Sequence, residues 1–521
     1  MKQMLWLFVA AVAAATLPAA AQAQPAPVNS VAISPTCGAM RNADVSRLPE
    51  APTQVTSVRS VVATEVAPAL CEVNGTIAPN VGFTLLMPEA GWNGKYFQSG
   101  CGNWCGVRLS SYYAKTCEKV VKRGYACMVT DAGHVARSDD VALTDGQWAQ
   151  DNVQAELDWG GRASHVASIA GKALTTDFYE KAPARAYFMG CSYGGHQAMV
   201  LAQRYPWDFD GIVGGGAPNS IANLMQQNLW AIRHAYDSGL KSVFSEADLK
   251  LLHNDALAKC DMDDGLRDGL IGNPRACRVN PRALVCKAGQ TSDCLSQSKA
   301  DVAAKMYSGP TDSRGRKLAY DGWAPGTEMY WGRVYRSDGV GLVALAPNYF
   351  RYMARIPDLG AGWSMSSYDF DTDYRRQDVT ETLYAAANPD LRRFKAAGGK
   401  FINYVGWHDM GTLPSDAIDY YDTVERTMGG RAATQDFFRM FMVPGSLHCR
   451  GGDGAEDIDF LSYLEAWVEQ GKAPSEMIGA HRDASGAATF TRPTYPYPLM
   501  AKYRGKGDPN AAASFRPVPM R

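Results

Sequence analysis

The sequence predicts an α/β fold whose parallel sheet is interrupted by a long insertion. Short apolar runs alternate with helical patterns from about residue 80 to 215, as expected for strands joined by helices. The alternation stops from about 220 to 395, where Trp, Tyr, Asp and Gly are frequent, and two later apolar runs resume it. The predicted strands are "GFTLLMP", "KYFQSG", "YACMVTDAG", "AYFMGCS", "GIVGGGAP", "KFINYVGWHDM" and "FFRMFMVPGSLHC".

Length and composition fit a large soluble globular protein. The chain has 521 residues, of which 46% are hydrophobic and 20% charged, so a sizeable core is available. The formal net charge is -1 without a basic block, which disfavours nucleic acid or an anionic membrane surface as a partner. The oligomeric state is not indicated. We expect the insertion to form a lid over the carboxyl ends of the strands, where ligands bind in such sheets.

The N-terminus has the pattern of a secretory signal peptide. One lysine precedes an apolar run and then Ala21-Gln22-Ala23, a small-x-small cleavage site. The run is short for a membrane anchor, so we expect a secreted or periplasmic protein. The predicted divisions are a signal peptide at 1–23, a first core part at 24–219, the lid at 220–395 and a second core part at 396–521. The even number of cysteines, 12, indicates disulfides in an oxidising compartment.

Ser192 is the predicted nucleophile. It lies in Gly190-Cys-Ser-Tyr-Gly194, between a buried strand and a helical segment that begins near Gln197. This strand-to-helix setting is typical of a nucleophile elbow, where a tight turn and a close helix require flanking glycines. A structural serine in a glycine-rich turn is the alternative, and the context disfavours it.

The two late strands each end near a residue that can complete a catalytic triad. Such hydrolases need the chain order Ser, then Asp or Glu, then His. Asp409 follows "NYVGWH" and His448 follows "MVPGSL", so both are predicted at carboxyl ends of strands. The competing histidines are His196, His234, His253 and His408.

A cysteine precedes the serine, and another follows the histidine. If Ser192 and His448 meet at hydrogen-bond distance, Cys191 and Cys449 approach the separation of roughly 4.4 to 6.8 Å between Cα atoms that a disulfide needs. We therefore predict a disulfide that fastens the nucleophile to the base. A free buried cysteine is the alternative.

Three sequence blocks resemble the tannase and feruloyl esterase family of secreted α/β-hydrolases, which includes hydrolases of mono(2-hydroxyethyl) terephthalate. They are "GCSYGGHQAMVLAQRYPWDFDGIVGGGAP", "YVGWHDMGTLPSDAIDYYDTV" and "MVPGSLHCRGG", and the similarity runs from about residue 35 to 475. The resemblance implies an α/β-hydrolase core with a large inserted lid and activity on esters of aromatic acids. It also implies catalysis by Ser192, Asp409 and His448 with a Cys191–Cys449 disulfide.

The loop "QSGCGNWCG" is similar to the family's glycine-rich oxyanion loop. The resemblance and its position after an early strand imply that the backbone N–H of Gly102 acts with that of Tyr193. This chain departs from the commoner all-glycine loop by carrying Cys101 and Cys105, so Cys101 stays an alternative to Gly102.

The segment "CDMDDGLRDGLIGNPRAC" is similar to the family's calcium loop. The resemblance implies a structural calcium ion, with carboxylates from Asp261, Asp264 and Asp268 and carbonyls from Leu266 and Leu270. Without it, a solvated acidic turn would be favoured. No organic cofactor is expected. The family pattern also implies the disulfides Cys260–Cys277, Cys286–Cys294 and Cys37–Cys71. Three pairings remain open for Cys101, Cys105, Cys117 and Cys127.

The substrate is predicted less sharply than the chemistry. Aromatic residues of the lid could stack on an acyl ring, although most are expected in the lid's own core. Arginines in the lid could bind a carboxylate; they are Arg333, Arg336, Arg351 and Arg355. Two alternatives remain open: another lidded serine hydrolase such as a carboxypeptidase, and a non-catalytic binding protein on the same fold.

Overall fold

A nine-stranded mixed sheet carries the fold. The computed structural model describes residues 35–65, 67–108, 111–138, 144–318, 321–332 and 342–520, so the predicted signal peptide lies outside the described residues. The strands of this sheet are β1 (Thr53–Val61), β2 (Leu70–Ile77), β3 (Val81–Pro88), β4 (Lys95–Ser99), β5 (Ala126–Thr130), β6 (Arg185–Cys191), β7 (Gly211–Gly215), β8 (Lys400–Gly406) and β9 (Phe438–Val443). Their spatial order is β1-β2-β3-β5-β4-β6-β7-β8-β9.

The α/β core is confirmed, but the sheet is mixed and not wholly parallel as expected, because its first strands pair antiparallel. Strands β3 to β9 coincide with the predicted apolar runs. However, β1, β2, β3 and β5 pair antiparallel, and only the pairs from β5 through β9 are parallel. Strand β3 is almost wholly buried, so its sequence reads like a central parallel strand. Strands β1 and β2 were not predicted. Much of β1 is exposed and its apolar residues are sparse, and Glu72, Asn74 and Gly75 interrupt the apolar run of β2.

Helices flank this sheet and fill the insertion. They are α1 (Pro35–Ala39), α2 (Ser111–Val121), α3 (Val153–Leu157), α4 (Ala163–Tyr179), α5 (Tyr193–Arg204), α6 (Ile221–Ala235), α7 (Glu246–Cys260), α8 (Gln297–Ser308), α9 (Leu342–Tyr352), α10 (Asp378–Tyr384), α11 (Arg392–Ala396), α12 (Pro414–Thr427), α13 (Arg431–Gln435) and α14 (Phe460–Gln470). Two hairpins follow α14, namely β10 (Met477–Arg482) with β11 (Ala488–Thr494) and β12 (Leu499–Tyr503) with β13 (Phe515–Pro519). None of the helices in the described ranges is both long and apolar enough to span a bilayer.

The insertion lies in the chain between two strands that are neighbours in the sheet. Strands β7 and β8 pair directly, from Gly211 with Lys400 to Gly215 with Tyr404, although helices α6 to α11 lie between them in the chain. Part of the insertion has a hydrophobic cluster of its own, and Met410 and Leu413 from the loop after β8 belong to it. The insertion therefore packs against the loop that carries Asp409.

Six disulfides join the cysteines, and the described residues contain no free cysteine. The structure has the four pairings expected from the sequence: Cys191–Cys449, Cys260–Cys277, Cys286–Cys294 and Cys37–Cys71. The pairs left open are Cys101–Cys105 and Cys117–Cys127. The latter fastens α2 to β5, and the former closes the predicted oxyanion loop.

Candidate active site

Ser192 occupies a strained turn between β6 and α5. Its φ of 62° and ψ of -126° lie in a region that residues with a Cβ rarely adopt. The turn is held by hydrogen bonds from Ser192 N to Gly215 O at 2.9 Å and from His196 N to Ser192 O at 3.0 Å. A Cβ on Gly190 would lie 2.5 Å from the carbonyl of Gly194, so the turn requires glycine there. This is the geometry of a nucleophile elbow.

His448 and Asp409 form a hydrogen-bonded pair. His448 lies in the loop after β9, and Asp409 lies in the loop after β8. His448 Nδ1 is 2.8 Å from Asp409 Oδ2 and 3.0 Å from Asp409 Oδ1. The carboxylate is fully buried, whereas the imidazole side chain is 31% exposed. A carboxylate on Nδ1 leaves Nε2 as the nitrogen that can accept a proton.

The Asp409 carboxylate is also held by its own loop. Oδ1 accepts hydrogen bonds from the backbone N–H groups of Gly411 at 2.9 Å and Thr412 at 2.8 Å. The Thr412 hydroxyl lies 2.9 Å from Oδ2 and 2.8 Å from Gly216 O. Sequence reasoning missed Thr412. Its signal was the spacing Asp-x-Gly-Thr, because aspartate oxygens commonly accept N–H groups two and three residues on.

The pKa of His448 reflects two opposed effects. Burial lowers the pKa of the imidazole, but the charge of Asp409 and the hydrogen bond to it outweigh burial and raise it above 6.5. The pair therefore produces a stronger base than a free histidine, which suits removal of a proton from a serine hydroxyl.

The serine turn and the His–Asp pair meet at the end of β7. Gly215 accepts the Ser192 N–H, and a Cβ on the next residue, Gly216, would lie 2.9 Å from Asp409 Oδ2 and 3.4 Å from His448 Cε1. The disulfide between Cys191 and Cys449 joins the residue before Ser192 to the residue after His448, with its Cα atoms 5.8 Å apart. The three predicted triad residues thus lie around one point at the carboxyl edge of the sheet.

Comparison with known proteins identifies the family. Residues 61–518 match the family described as tannase and feruloyl esterase. The chain belongs to the tannase and feruloyl esterase family. It is 32% identical to an uncharacterized esterase of Xanthomonas campestris pv. campestris, with 87% of this chain and 84% of that protein covered.

Two further relatives of this tannase-family chain carry more specific names. It is 31% identical to a mono(2-hydroxyethyl) terephthalate hydrolase of Piscinibacter sakaiensis, with 86% of this chain and 84% of the relative covered. It is also 31% identical to a probable feruloyl esterase of Arthroderma benhamiae, with 95% and 92% covered.

Solved structures share the fold of this family member. An esterase from Aspergillus oryzae matches with a TM-score of 0.81 at 24% identity, covering 94% of this chain and 100% of that one. Feruloyl esterase B from Aspergillus oryzae matches with a TM-score of 0.79 at 24% identity, covering 89% and 97%. At such identities the likeness supports the α/β-hydrolase-type fold.

The other histidines of this tannase-family chain are engaged elsewhere or buried. His196 Nδ1 is 2.8 Å from Pro218 O, and His253 Nδ1 is 3.0 Å from Glu328 Oε2. Burial lowers the pKa of His408 to about 4. His165 does pair with a carboxylate, Asp208 at 2.7 Å, but Asp208 precedes β7 and so lies at the opposite end of that strand from Gly216.

The predicted oxyanion residues lie beside the elbow. Tyr193 is the first residue of α5. The backbone N–H of Cys101 donates to Gln197 Oε1 at 3.0 Å, so this N–H is already engaged. The second donor, Gly102 with Cys101 as its alternative, stays a prediction.

The acidic loop places two of its predicted calcium ligands inside the protein. Asp261 and Asp264 are buried, and each accepts a backbone N–H, from Gly269 at 3.0 Å and from Leu266 at 2.9 Å. Burial, together with the charges of Asp268 and Asp261, raises the pKa of Asp264 to about 7. Asp268 pairs with Arg492 at 2.8 Å and accepts the N–H of Leu270.

Calcium binding stays a prediction. Across the described residues, no group of three or more His, Cys, Asp or Glu side chains has the arrangement of metal ligands. The predicted set also uses the backbone carbonyls of Leu266 and Leu270, which such a grouping does not count. The buried carboxylates of Asp261 and Asp264 fit a hard cation, because each charged oxygen would otherwise lack water.

Two of the four arginines singled out in the sequence make contacts within the insertion. Arg351 Nε donates to Trp363 O at 3.2 Å, and Arg355 pairs with Asp373 at 2.7 Å. Arg333 and Arg336 lie outside the described residues. The structure therefore shows structural contacts for Arg351 and Arg355, both within the insertion.

Proposed function

We propose that this chain is a secreted serine esterase that hydrolyses esters of aromatic carboxylic acids through an acyl-enzyme. Membership of the tannase and feruloyl esterase family makes it a carboxylic ester hydrolase. One observation carries the proposed mechanism, namely the His448–Asp409 pair joined by a disulfide to the strained turn of Ser192. Six disulfides support an oxidising compartment.

The first half-reaction forms the acyl-enzyme. His448 Nε2 takes the proton of Ser192 as Oγ attacks the ester carbonyl, and Asp409 keeps the imidazole in the required tautomer. The backbone N–H groups of Tyr193 and Gly102 stabilise the negative charge on the former carbonyl oxygen. His448 then gives the proton to the departing alcohol.

The second half-reaction releases the acid. Water attacks the acyl carbonyl while His448 accepts one of its protons, and the same oxyanion donors act again. Ser192 recovers its proton from His448 as the acid leaves. The disulfide of Cys191 and Cys449 matters in both halves, because the loops carrying nucleophile and base must keep their spacing to within a fraction of an ångström.

The acyl class is proposed from the relatives. Their names refer to feruloyl esters and to mono(2-hydroxyethyl) terephthalate, which are both esters of aromatic acids. Gallate, ferulate and terephthalate differ in hydroxyl, methoxy and carboxylate groups, so a site that hydrogen-bonds one of these groups would rank the three strongly.

The test compares three esters on one enzyme. Hydrolysis of methyl gallate, methyl ferulate and mono(2-hydroxyethyl) terephthalate is followed by chromatography for the mature oxidised protein and for Ser192→Ala. We expect at least one ester to be cleaved, with cleavage lost in the variant. If no ester is cleaved while a fluorophosphonate still labels Ser192, the acyl class is wrong. If the serine is not labelled, the proposed triad is wrong.

We propose further that the acidic loop binds a structural calcium ion. Its ligands would be the carboxylates of Asp261, Asp264 and Asp268 and the carbonyls of Leu266 and Leu270. Burial of two of these carboxylates and the raised pKa of Asp264 support a cation at this loop. The ion would neutralise carboxylate charge beyond the one that Arg492 pairs with at Asp268.

A further inference from the structure

The predicted oxyanion loop is closed by a disulfide of its own. Cys101 and Cys105 are only 4 positions apart, and their Cα atoms are separated by 5.5 Å. Within this disulfide loop, Cys105 N donates to Gly102 O at 3.0 Å. Asn103 and Cys105 have φ values of 49° and 63°, which residues with side chains seldom adopt unless their surroundings impose them. The loop is therefore a small covalent unit with a defined shape.

One buried side chain binds this unit to the nucleophile helix. Gln197 is on α5, five residues after Ser192, and only 2% of its surface is exposed. Its Oε1 accepts the backbone N–H of Cys101 at 3.0 Å, and its Nε2 donates to Cys101 Sγ at 3.3 Å. A single amide thus holds both the backbone and the sulfur of Cys101.

Other contacts hold the two ends and the tryptophan of the disulfide loop. Gly100 N, just before the loop, donates to Met189 O at 2.9 Å, and Gly106 N, just after it, donates to Asp131 O at 3.1 Å. A Cβ on Gly194 would lie 2.9 Å from Cys101 O, so the loop backbone packs directly on α5. Trp104, inside the loop, meets the edge of Trp159 with ring centroids 5.4 Å apart. Trp159 in turn stacks on Tyr193 at 4.1 Å. The hydrogen bonds of Gly100 and Gly106 hold the ends of the loop, and the ring contacts are apolar. The Gln197 amide supplies two directional hydrogen bonds to Cys101 itself.

We propose that Gln197 is a positioning residue of the oxyanion hole, which fixes the N–H of Gly102 relative to that of Tyr193. The Cys101 N–H and the Gly102 N–H belong to consecutive peptide units, so holding the first and the sulfur of Cys101 limits rotation of the second. Oxyanion donors act at 2.7 to 3.1 Å from the developing charge, and an error of about 1 Å removes much of their effect. This inference rests on the proposed function, because it concerns attack by Ser192.

The test uses two near-isosteric variants of one residue. Gln197→Met removes both hydrogen bonds and leaves the buried N–H of Cys101 without an acceptor. Gln197→Glu retains an oxygen for that N–H and loses only the bond to sulfur. The values of kcat and KM are measured on methyl ferulate, with Ser192→Ala as background. The second-order rate of fluorophosphonate labelling at Ser192 is measured in parallel, because the phosphoryl oxygen also enters the oxyanion hole.

For Gln197→Met we expect kcat and the labelling rate to fall about 10- to 100-fold, with KM changed less than about threefold, given that losing an oxyanion donor typically lowers kcat by roughly 10²- to 10³-fold. Gln197→Glu should recover most of both rates. Wild-type rates in Gln197→Met, or equal losses in the Met and Glu variants at similar unfolding temperatures, would overturn the proposal.

A third variant guards against a folding failure. If Gln197→Met does not yield folded protein, Gln197→Asn replaces it, because its shorter amide cannot reach Cys101 yet remains polar. Its rates are normalised to the fraction of sites that the fluorophosphonate finally labels, and an unchanged rate per labelled site would equally contradict the proposal. If the wild-type enzyme labels but does not cleave methyl ferulate, kcat and KM are measured on whichever of the other two esters it cleaves. Cleavage of none of the three contradicts the acyl class, and the labelling rates still test Gln197.

Discussion

Two loops of this protein bury aspartate side chains, and they surround the carboxyl group differently: one supplies several hydrogen-bond donors, and the other places further carboxylates nearby. In the loop after β8, Asp409 receives two backbone N–H groups, the Thr412 hydroxyl and the His448 imidazole. In the acidic loop, Asp264 is also buried, but it has one hydrogen bond from Leu266 and two acidic neighbours, and its pKa is raised to about 7.

The surroundings of Asp409 are complete within the protein, whereas those of Asp264 favour a bound cation. Asp409 has hydrogen-bond donors for both oxygens and a partner that becomes a cation during the reaction, so the carboxylate is held in place before substrate arrives. The ionised form of Asp264 is destabilised, because burial and the neighbouring carboxylates both raise its pKa. A bound cation would reverse that balance, and the catalytic loop has no such need.

Removal of the Asp409 charge should produce the largest effect. Asp409→Asn keeps the size of the side chain but presents an amide to His448 Nδ1, which favours the wrong tautomer. We expect kcat to fall by about 10⁴-fold, as for other triads, with the fold retained. Steady-state kinetics and circular dichroism check this.

The matched control is Asp208→Asn in the buried pair with His165, away from the predicted triad. It should alter stability while leaving kcat within about threefold of wild type, because His165 has no place in the mechanism. Equal activity losses in the two variants would show that a general defect, and not the tautomer, explains Asp409→Asn.

The pH profile gives the next largest effect. Because Asp409 raises the pKa of His448 above 6.5, the base is protonated and inactive over a wider acidic range than a free histidine would be. We expect kcat/KM to fall about tenfold per pH unit below that raised pKa and to level off above it. A profile flat from pH 5 to 8 would exclude His448 as the base.

Calcium removal should affect stability more than chemistry. Ligand binding stabilises the folded state by about 2.7 kcal/mol when the free ligand is at 100 times its Kd. We therefore expect a chelator to lower the unfolding temperature by a few degrees and added calcium to restore it. Magnesium serves as the control ion, because it prefers a smaller octahedral shell. An unfolding temperature indifferent to chelator and calcium contradicts the calcium proposal.

The smallest expected effect is a pH dependence of the stability of the calcium-free protein. The folded state holds the Asp264 proton up to about pH 7, whereas the ordinary value is 3.8, so the folded state binds more protons between these pH values. Stability of the chelated protein should therefore decrease as pH rises through this window. Asp264→Asn should flatten that decrease in denaturant titrations, and an unchanged slope would show that other groups cause it.

The residues that react were easier to predict than the residues that hold them. Ser192, Asp409 and His448 stand next to glycines or at strand ends, so pattern and chain order single them out. Gln197 is an ordinary residue in a helix, and its role depends on a contact across 96 positions with Cys101. No local sequence pattern predicts such a contact.

The direction of the first strands escaped prediction for a similar reason. Burial on both faces gives β3 the same apolar sequence whether its neighbour runs parallel or antiparallel. The pairing of Cys117 with Cys127 likewise depends on α2 lying against β5, which the spacing of cysteines alone does not specify. Sequence pattern thus predicted where strands lie, and tertiary packing decided how they pair.

The disulfide between Cys191 and Cys449 spans 258 positions and so encloses the whole insertion in a covalent circle. A protease that cuts the backbone once inside that circle cannot separate the fragment bearing Ser192 from the fragment bearing His448. A nicked enzyme would migrate as one species without reductant and as two with it. The insertion can therefore be opened, shortened or exchanged during evolution or engineering while the two reactive loops stay on one molecule.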